Sequence, residues 1–334
     1  MADISVIAED SNVLSRVLDV KMGGRSFRTP VVASEHGPAN GIGEIFIKVK
    51  DGESAEDLKK RLQKRTKRVE NTALAFLVVD LTHGDVAGVA DAVLDAVENA
   101  PNIAVCTPTF RKGSLERIQQ AIGAFVNEAT TREDVTLLPT FTPKLVDPVR
   151  QLQDFYKLGL LSNIVCIDYS GTNPFSNVED HKRYIAIFRL IEREFGTTAT
   201  YGISIHPIFY AAKYEEAPAR DLASFFAHID ILGARRHVAR TMPPEVILTR
   251  AQWSYKLDTE EYIYSRVRKS DEIELKNIEK KMEEAERIRS LLEKGEDMLK
   301  YIKSKRIAKI DEKTIKLLEK YARLYKTASL STTS

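Results

Sequence analysis

The sequence predicts an α/β protein, a (β/α)8 TIM-type barrel with a C-terminal charged helical extension. Three observations carry that expectation. Short β-branched runs recur from residue 30 to about 232. Most are apolar throughout rather than alternating, the mark of strands buried on both faces. Each is followed by a helical pattern, so that successive runs start about thirty to forty residues apart, the length of a strand and a returning helix.

Strands are expected at Pro30–Ser34, Leu74–Asp80, Ile103–Thr107, Thr136–Pro139, Ile164–Asp168, Tyr201–Ile205 and Ile229–Leu232. Between them, Ser54 caps a helix carrying Leu58 and Leu62, with Asp57 as the reciprocal acid of a variant capping box. Asp85–Val97 has apolar residues at helical spacing, and Ser114 caps a helix with Leu115, Ile118, Ile122 and Phe125. Pro148–Leu160 and His181–Phe195 repeat the pattern, and Asp221 opens Leu222–Phe226. That makes seven strand–helix units. Glu245–Leu248 is the candidate eighth strand, although it follows the seventh closely. An open doubly wound sheet is the alternative, but no Gly-rich phosphate turn follows the first strand.

Residues 1–268 are therefore read as the barrel, 269–326 as the extension and 327–334 as a frayed tail. The extension splits into an acidic part, Asp271–Asp297, and a basic part, Lys300–Lys326, each with a narrow apolar stripe suited to packing on the barrel or on a partner. A homo-oligomer or partner contact through 269–326 is one expectation. The total of 50 basic against 48 acidic residues is thus a cancellation between segregated blocks, and it leaves a polyanionic partner open.

An apolar fraction of 43% excludes global disorder. No run approaches the roughly 18 apolar residues that span a bilayer, and no signal peptide is visible at the N-terminus. The expected compartment is the cytoplasm. Cys106 and Cys166 are too few for a zinc cluster and sit inside apolar strands, where packing thiols are expected.

In a barrel the chemistry sits at the carboxyl ends of the strands, and polar residues gather there. Asp80 and Asp168 end apolar strands, where partial desolvation raises a carboxyl pKa towards acid–base use. His206 follows the sixth strand, and Asp230 lies in the seventh. These four are the candidate catalytic groups. Glu35, His36, His83, Thr107, Ser170 and Asn173 are the candidate substrate contacts, and Arg235 and Arg236 are suited to an anion. Glu35, His36, His83, Asp168 and His206 could ligate a divalent ion, but their spacing lacks a tight ligand pair. No metal site is predicted, and the cofactor is left open. Lys59, Lys60, Arg61, Lys64, Arg65, Lys67 and Arg68 make seven basic residues in ten on one expected helix, a candidate nucleic-acid contact or a solvated face.

Two segments resemble the tRNA-guanine transglycosylase family, zinc-containing barrels that exchange a base in tRNA. Val20-Lys-Met-Gly-Gly-Arg-Ser-Phe-Arg-Thr-Pro30-Val-Val is similar to the family's entry into its first strand. His228-Ile-Asp230-Ile-Leu-Gly233-Ala-Arg235-Arg236-His-Val-Ala-Arg240 is similar to its seventh-strand segment, which bears the nucleophilic aspartate. The family's second aspartate there falls on Gly233, so the resemblance leaves the nucleophile to Asp230 or Asp80. The family's Cys-x-Cys-x-x-Cys zinc cluster is absent, and Asp80 precedes Leu-Thr-His-Gly where the family has an Asp-Ser-Gly-Gly-type turn. The resemblance implies a divergent or catalytically altered member acting on RNA or a nucleobase, with tRNA as partner. The alternatives are a barrel lyase or aldolase-type enzyme on a small phosphorylated or carboxylated substrate, and a non-enzymatic scaffold that recruits a partner through its helical tail.

Overall fold

A computed structural model describes residues 2–35, 41–82, 85–132, 134–176, 178–206, 215–234, 253–270 and 272–330. The fold is mixed α/β, with parallel sheets and ten helices among the described residues. The chain opens with an antiparallel sheet, β1 (Asp3–Asp10), β2 (Ser15–Met22) and β3 (Arg25–Arg28). Gly23 and Gly24 make the β2–β3 turn in left-handed backbone (φ 58° and 74°), which glycine adopts without steric cost.

Two parallel sheets follow. One has the order β4-β13-β11-β10-β9, from β4 (Val31–Val32), β13 (Ile231–Leu232), β11 (Ala199–Ile203), β10 (Ile164–Asp168) and β9 (Thr140–Phe141). The other has the order β5-β6-β7-β8, from β5 (Ile42–Lys48), β6 (Leu74–Asp80), β7 (Ile103–Cys106) and β8 (Thr136–Leu138). The two sheets also bond to each other. Ser34 N–H donates to Ile42 O at 3.2 Å and Ser34 O accepts from Glu44 N–H at 3.0 Å, which joins β4 to β5. Pro139 alone separates β8 from β9, and its carbonyl accepts from Cys166 N–H at 3.0 Å.

The sequence expectation missed β5. Gly43, Glu44 and Lys48 interrupt its apolar run, yet its backbone pairs with β6 in register from Ile42↔Leu74 to Lys48↔Asp80. The expected strand at 136–139 is split at Pro139, which has no N–H to give a ladder. The strand expected at Tyr201–Ile205 starts and stops two residues earlier, ended by Ser204 in left-handed backbone (φ 55°). Glu245–Leu248 lies outside the described residues. A further antiparallel sheet has the order β12-β15-β14, from β12 (Glu216–Pro218), β15 (Ile263–Arg268) and β14 (Trp253–Asp258).

The helices are α1 (Ala55–Thr66), α2 (Val86–Val97), α3 (Leu115–Thr130), α4 (Pro148–Lys157), α5 (Val178–Phe195) and α6 (Arg220–Ala223). The C-terminal part contributes α7 (Glu272–Glu293), α8 (Met298–Ser304), α9 (Ile307–Ile310) and α10 (Glu312–Leu330). Ser54, Asp85, Ser114 and Asp147 cap α1 to α4 with side-chain hydrogen bonds. Asp221 does not cap a helix. It is fully buried, and its carboxylate takes an ion pair from Lys281 at 2.6 Å and a hydrogen bond from the Tyr264 hydroxyl at 2.7 Å.

Alternate residues of the parallel strands enter two different apolar layers. Leu74, Phe76 and Val78 join Ala104, Cys106, Leu138, Ile164, Cys166, Tyr201 and Ile231 in an inner layer. Ala75, Leu77 and Val79 join the helices in an outer one. Leu18 and Val20 of β2 belong to the inner layer and close it at the amino ends of the strands. The outer layer runs without a break into Ala285, Ile288, Leu292, Met298, Ile302, Ile307, Leu318 and Tyr321 of α7 to α10. Much of the apolar stripes therefore packs on this chain's own core, with α7 on β4 and α10 on α5, while Leu275 and Ile310 stay exposed.

The Lys281–Asp221 pair is the electrostatic pin of that packing. Lys281→Met leaves a buried carboxylate without its cation and is expected to cost about 3–5 kcal/mol in urea denaturation, whereas Lys281→Met/Asp221→Leu restores most of the loss.

Candidate active site at the carboxyl ends of the parallel strands

Asp80 and Asp168 are the last residues of β6 and β10, in step with the inward-facing Phe76 and Val78 and with Ile164 and Cys166. Asp80 is buried. Its Oδ1 accepts from the Thr82 hydroxyl at 2.6 Å, and its Oδ2 accepts from Arg111 Nε at 2.8 Å. The Thr82 hydroxyl in turn accepts from Arg111 N–H at 3.1 Å, so the loop after β7 is tied to the end of β6.

Asp168 is 6% exposed, and among the described residues its direct partners are uncharged donors, Ser170 N–H at 2.7 Å and the Ser170 hydroxyl at 3.0 Å. Burial pushes its carboxyl up to about 6; Ser170 and the Lys144 charge pull it back, and the negative charge of Asp80 adds to the rise. The two aspartates therefore share one electrostatic environment. Lys144 Nζ donates to Ser170 O at 3.2 Å, which brings a cation to the same rim.

The backbone around Asp168 is under strain. Ser170 and Ser204, which follow the adjacent strands β10 and β11, are both left-handed (φ 48° and 55°), and Gly171 between them donates to Ser204 O at 3.0 Å. Such non-glycine conformations cost about 1–3 kcal/mol each and gather at functional sites. His206 N–H donates to Thr172 O at 2.8 Å, which sets the half-buried His206 beside this turn.

Other expected contacts serve structure. Asn173 is fully buried; its amide donates to His206 O at 2.7 Å and accepts from Phe175 and Ser176 N–H groups at 3.1 Å. Thr107 is buried, and its hydroxyl accepts from Thr140 N–H at 2.8 Å, within the sheet. Glu35 is paired with Arg65 at 3.2 Å. His36, His83, Arg235 and Arg236 lie outside the described residues.

Asp230 is a correction. It precedes β13, at the amino ends of the strands, and so stands away from Asp80 and Asp168. Arg16 grips both its oxygens (Nε to Oδ1 3.0 Å, Nη2 to Oδ2 2.8 Å), and Thr200 N–H adds a third donor at 2.8 Å. This aspartate fastens β2 to the start of β13 and β11. The basic helix is likewise more neutral than its sequence: Lys59 pairs with Asp95, Lys60 with Glu56 and Arg61 with Glu53. Lys64, Lys67 and Arg68 remain exposed, with no ion pair among the described residues.

The sequence reading missed Glu44. It is fully buried in the inner layer, and its Oε2 accepts from the Tyr201 hydroxyl and, at 2.8 Å, from Ala234 N–H. A Cβ placed on Gly233 would stand 2.7 Å from Gly202 O and 2.8 Å from Glu44 Oε2. The space beside Gly233 is therefore filled by a carboxylate from β5. A lone acid inside Ile42-Gly-Glu-Ile-Phe-Ile47 was the available signal. Lys144 had none, because only the fold brings it to the rim.

A cavity of about 630 Å3 lies elsewhere, between α7 and the entry to β4, lined by Phe27, Arg28, Val31, Met282, Arg289 and Glu293 among others. Its charges are paired, Arg28 with Glu293 and Arg289 with Glu286. Among the described residues no three His, Cys, Asp or Glu side chains assemble as a metal site. No family model matches the chain, and the search of curated proteins returned no match.

The folded pKa of Asp168, about 6, exceeds the unfolded value of about 4. The charged form is thus the costly one, and the cost appears as pH rises from about 4 through 6. Asp168→Asn is expected to stabilise the protein by about 1–2 kcal/mol at pH 8 and by nothing at pH 4, measured by urea denaturation at both values.

Proposed function

We propose that the chain is a (β/α)8-barrel enzyme acting on a nucleobase, a relative of the tRNA-guanine transglycosylases in which Asp168 moves a proton. The barrel reading draws on eight parallel stretches, β4, β5, β6, β7, β8–β9, β10, β11 and β13, each hydrogen-bonded to the next, and on the pairing of β13 with β4. The eighth strand is then β5, second in chain order, and α7 covers β4 from outside.

One observation carries the function: a buried carboxyl, raised to about 6, ends β10 at the same carboxyl end of the parallel strands at which Asp80 ends β6. Near neutral pH such a group is populated in both protonation states, which suits general acid–base work. Two carboxylates on one rim complement the ring N–H and exocyclic amine donors of a base. Arg111 and Lys144 beside them suit a phosphate or ribose-phosphate attached to it. Glu44 is fully buried and already accepts two protein donors, and Asp230 is held by Arg16. The proton step is therefore assigned to Asp168, with Asp80 and His206 at the same ends of the strands.

Calorimetric titration with the free nucleobases and with tRNA tests this reading. Binding of at least one base, with an affinity that changes around pH 6 and is lost in Asp168→Asn, is the expected result. Binding of phosphate esters but of no base would overturn it in favour of the small-anion enzyme, a reading that Arg111 and Lys144 would serve. Binding of neither would overturn both.

A further inference from the structure

One side chain of the C-terminal helix reaches both ends of the turn that follows β10. Tyr321 of α10 is fully buried. Its hydroxyl donates to Pro174 O at 2.7 Å, at the far end of that turn. Its ring meets the His181 ring of α5 edge-on, with the centres 4.6 Å apart. His181 Nδ1 is hydrogen-bonded at 2.8 Å to the hydroxyl of Tyr169, the residue after Asp168. Burial holds the His181 imidazole down to about 3 and the Tyr169 phenol well above its usual value. Near neutral pH this contact therefore joins two uncharged groups.

The turn needs such support. Ser170 is left-handed (φ 48°) without being glycine, and a conformation of that kind persists where the surrounding contacts over-determine it. Inside the turn, the Thr172 hydroxyl donates to Tyr169 O at 2.5 Å and the Asn173 amide donates to His206 O at 2.7 Å. From outside, Tyr321 braces the start of the turn through His181 and Tyr169, and its end at Pro174. Both Ser170 donors to Asp168 lie between the two braced points.

We propose that Tyr321 is a positioning residue for Asp168: through His181 and Pro174, the C-terminal helix holds the turn that gives this carboxyl its two donors and its cover from water. The inference rests on the nucleobase reading for the use made of Asp168, and it gives the C-terminal extension a part in the site. The charged groups that act on Asp168 are Lys144 and Asp80, and the buried phenols of Tyr184 and Tyr201 feel its charge. Removing the Tyr321 hydroxyl changes no charge among them, so a change at Asp168 comes through the turn. Tyr325, one helical turn further along α10, supplies the comparison. Its hydroxyl donates to Glu192 Oε2 at 2.6 Å, and the Arg189 guanidinium lies 4.4 Å from its ring centre, so it ties α10 to α5 through residues outside the turn.

Carbon-13 NMR of the full chain labelled at its aspartate carboxyls reads the titration of Asp168 without any ligand, its signal being the one lost in Asp168→Asn. The midpoint is expected near 6 in the unaltered protein. Tyr321→Phe keeps the ring on His181 and gives up Pro174, and its midpoint is expected to fall by about half a pH unit as water reaches the carboxyl. Tyr321→Leu gives up both contacts and is expected to fall further, whereas Tyr325→Phe is expected to match the unaltered protein. Circular dichroism melts show which variants fold, and should Tyr321→Leu not fold, Tyr321→Phe decides. An unchanged midpoint in the Tyr321 variants, or an equal fall in Tyr325→Phe, would overturn the proposal. Calorimetric titration of the same proteins with nucleobases separates it from the reading on which it rests. A fallen midpoint with no base bound by the unaltered protein overturns only the nucleobase reading. A bound base whose pH dependence is the same in Tyr321→Phe overturns only the positioning role.

Discussion

Two-sided burial of the parallel strands is the constraint on which the rest depends. In β6 each residue from Leu74 to Val79 belongs alternately to the inner layer and to the layer shared with the helices. A strand placed in this way has no polar face, so polar chemistry is confined to its ends. Leu18 and Val20 close the inner layer at one end. The other end is left to the strand-final Asp80 and Asp168, which is why the candidate site is placed there.

The two ends use the same residue type differently. Asp230 and Asp168 are similarly buried, at 3% and 6% exposure, so desolvation opposes charge on both. Asp230 meets a guanidinium on both oxygens, and the pair is a fastener whose partners satisfy each other. Among the described residues Asp168 meets an amide and a hydroxyl from Ser170, with Lys144 acting at a distance. Its charge is under-compensated, and an under-compensated carboxyl is one that takes up a proton near neutral pH.

This difference in partners also marks what was legible in the sequence. The run Leu-Ala-Phe-Leu-Val-Val-Asp80 announces a buried strand and its polar end in one dimension, and Asp168 is as plain. β5 was hidden because Glu44 and Lys48 break its apolar run, although the inner layer has room for one buried carboxylate. Asp230 was misplaced because its position relative to the strand start decides which end it occupies, and three residues separate one end from the other. Of the acids that pair with α1, Glu53 and Glu56 are its neighbours in sequence, whereas Asp95, which pairs with Lys59, is brought to it by the fold. The apolar stripes of the C-terminal helices were visible, but whether they met this chain or another depended on contacts such as Lys281 with Asp221.

Glu44 shows why burial alone does not make a reactive group. Its side chain fills the space that a side chain at Gly233 would need, so β5 and β13 cannot both supply an acid there. The Tyr201 hydroxyl donates to it, and burial holds that phenol well above its usual pKa, so it stays a donor. Ala234 N–H adds a second donor from the backbone. A carboxylate already supplied with donors by the protein has few lone pairs left for an incoming group. Asp168, two residues beyond Cys166 on β10, stands at the rim with a carboxyl that titrates near pH 6. The buried carboxylate and the rim carboxyl thus come from two different strands, β5 and β10.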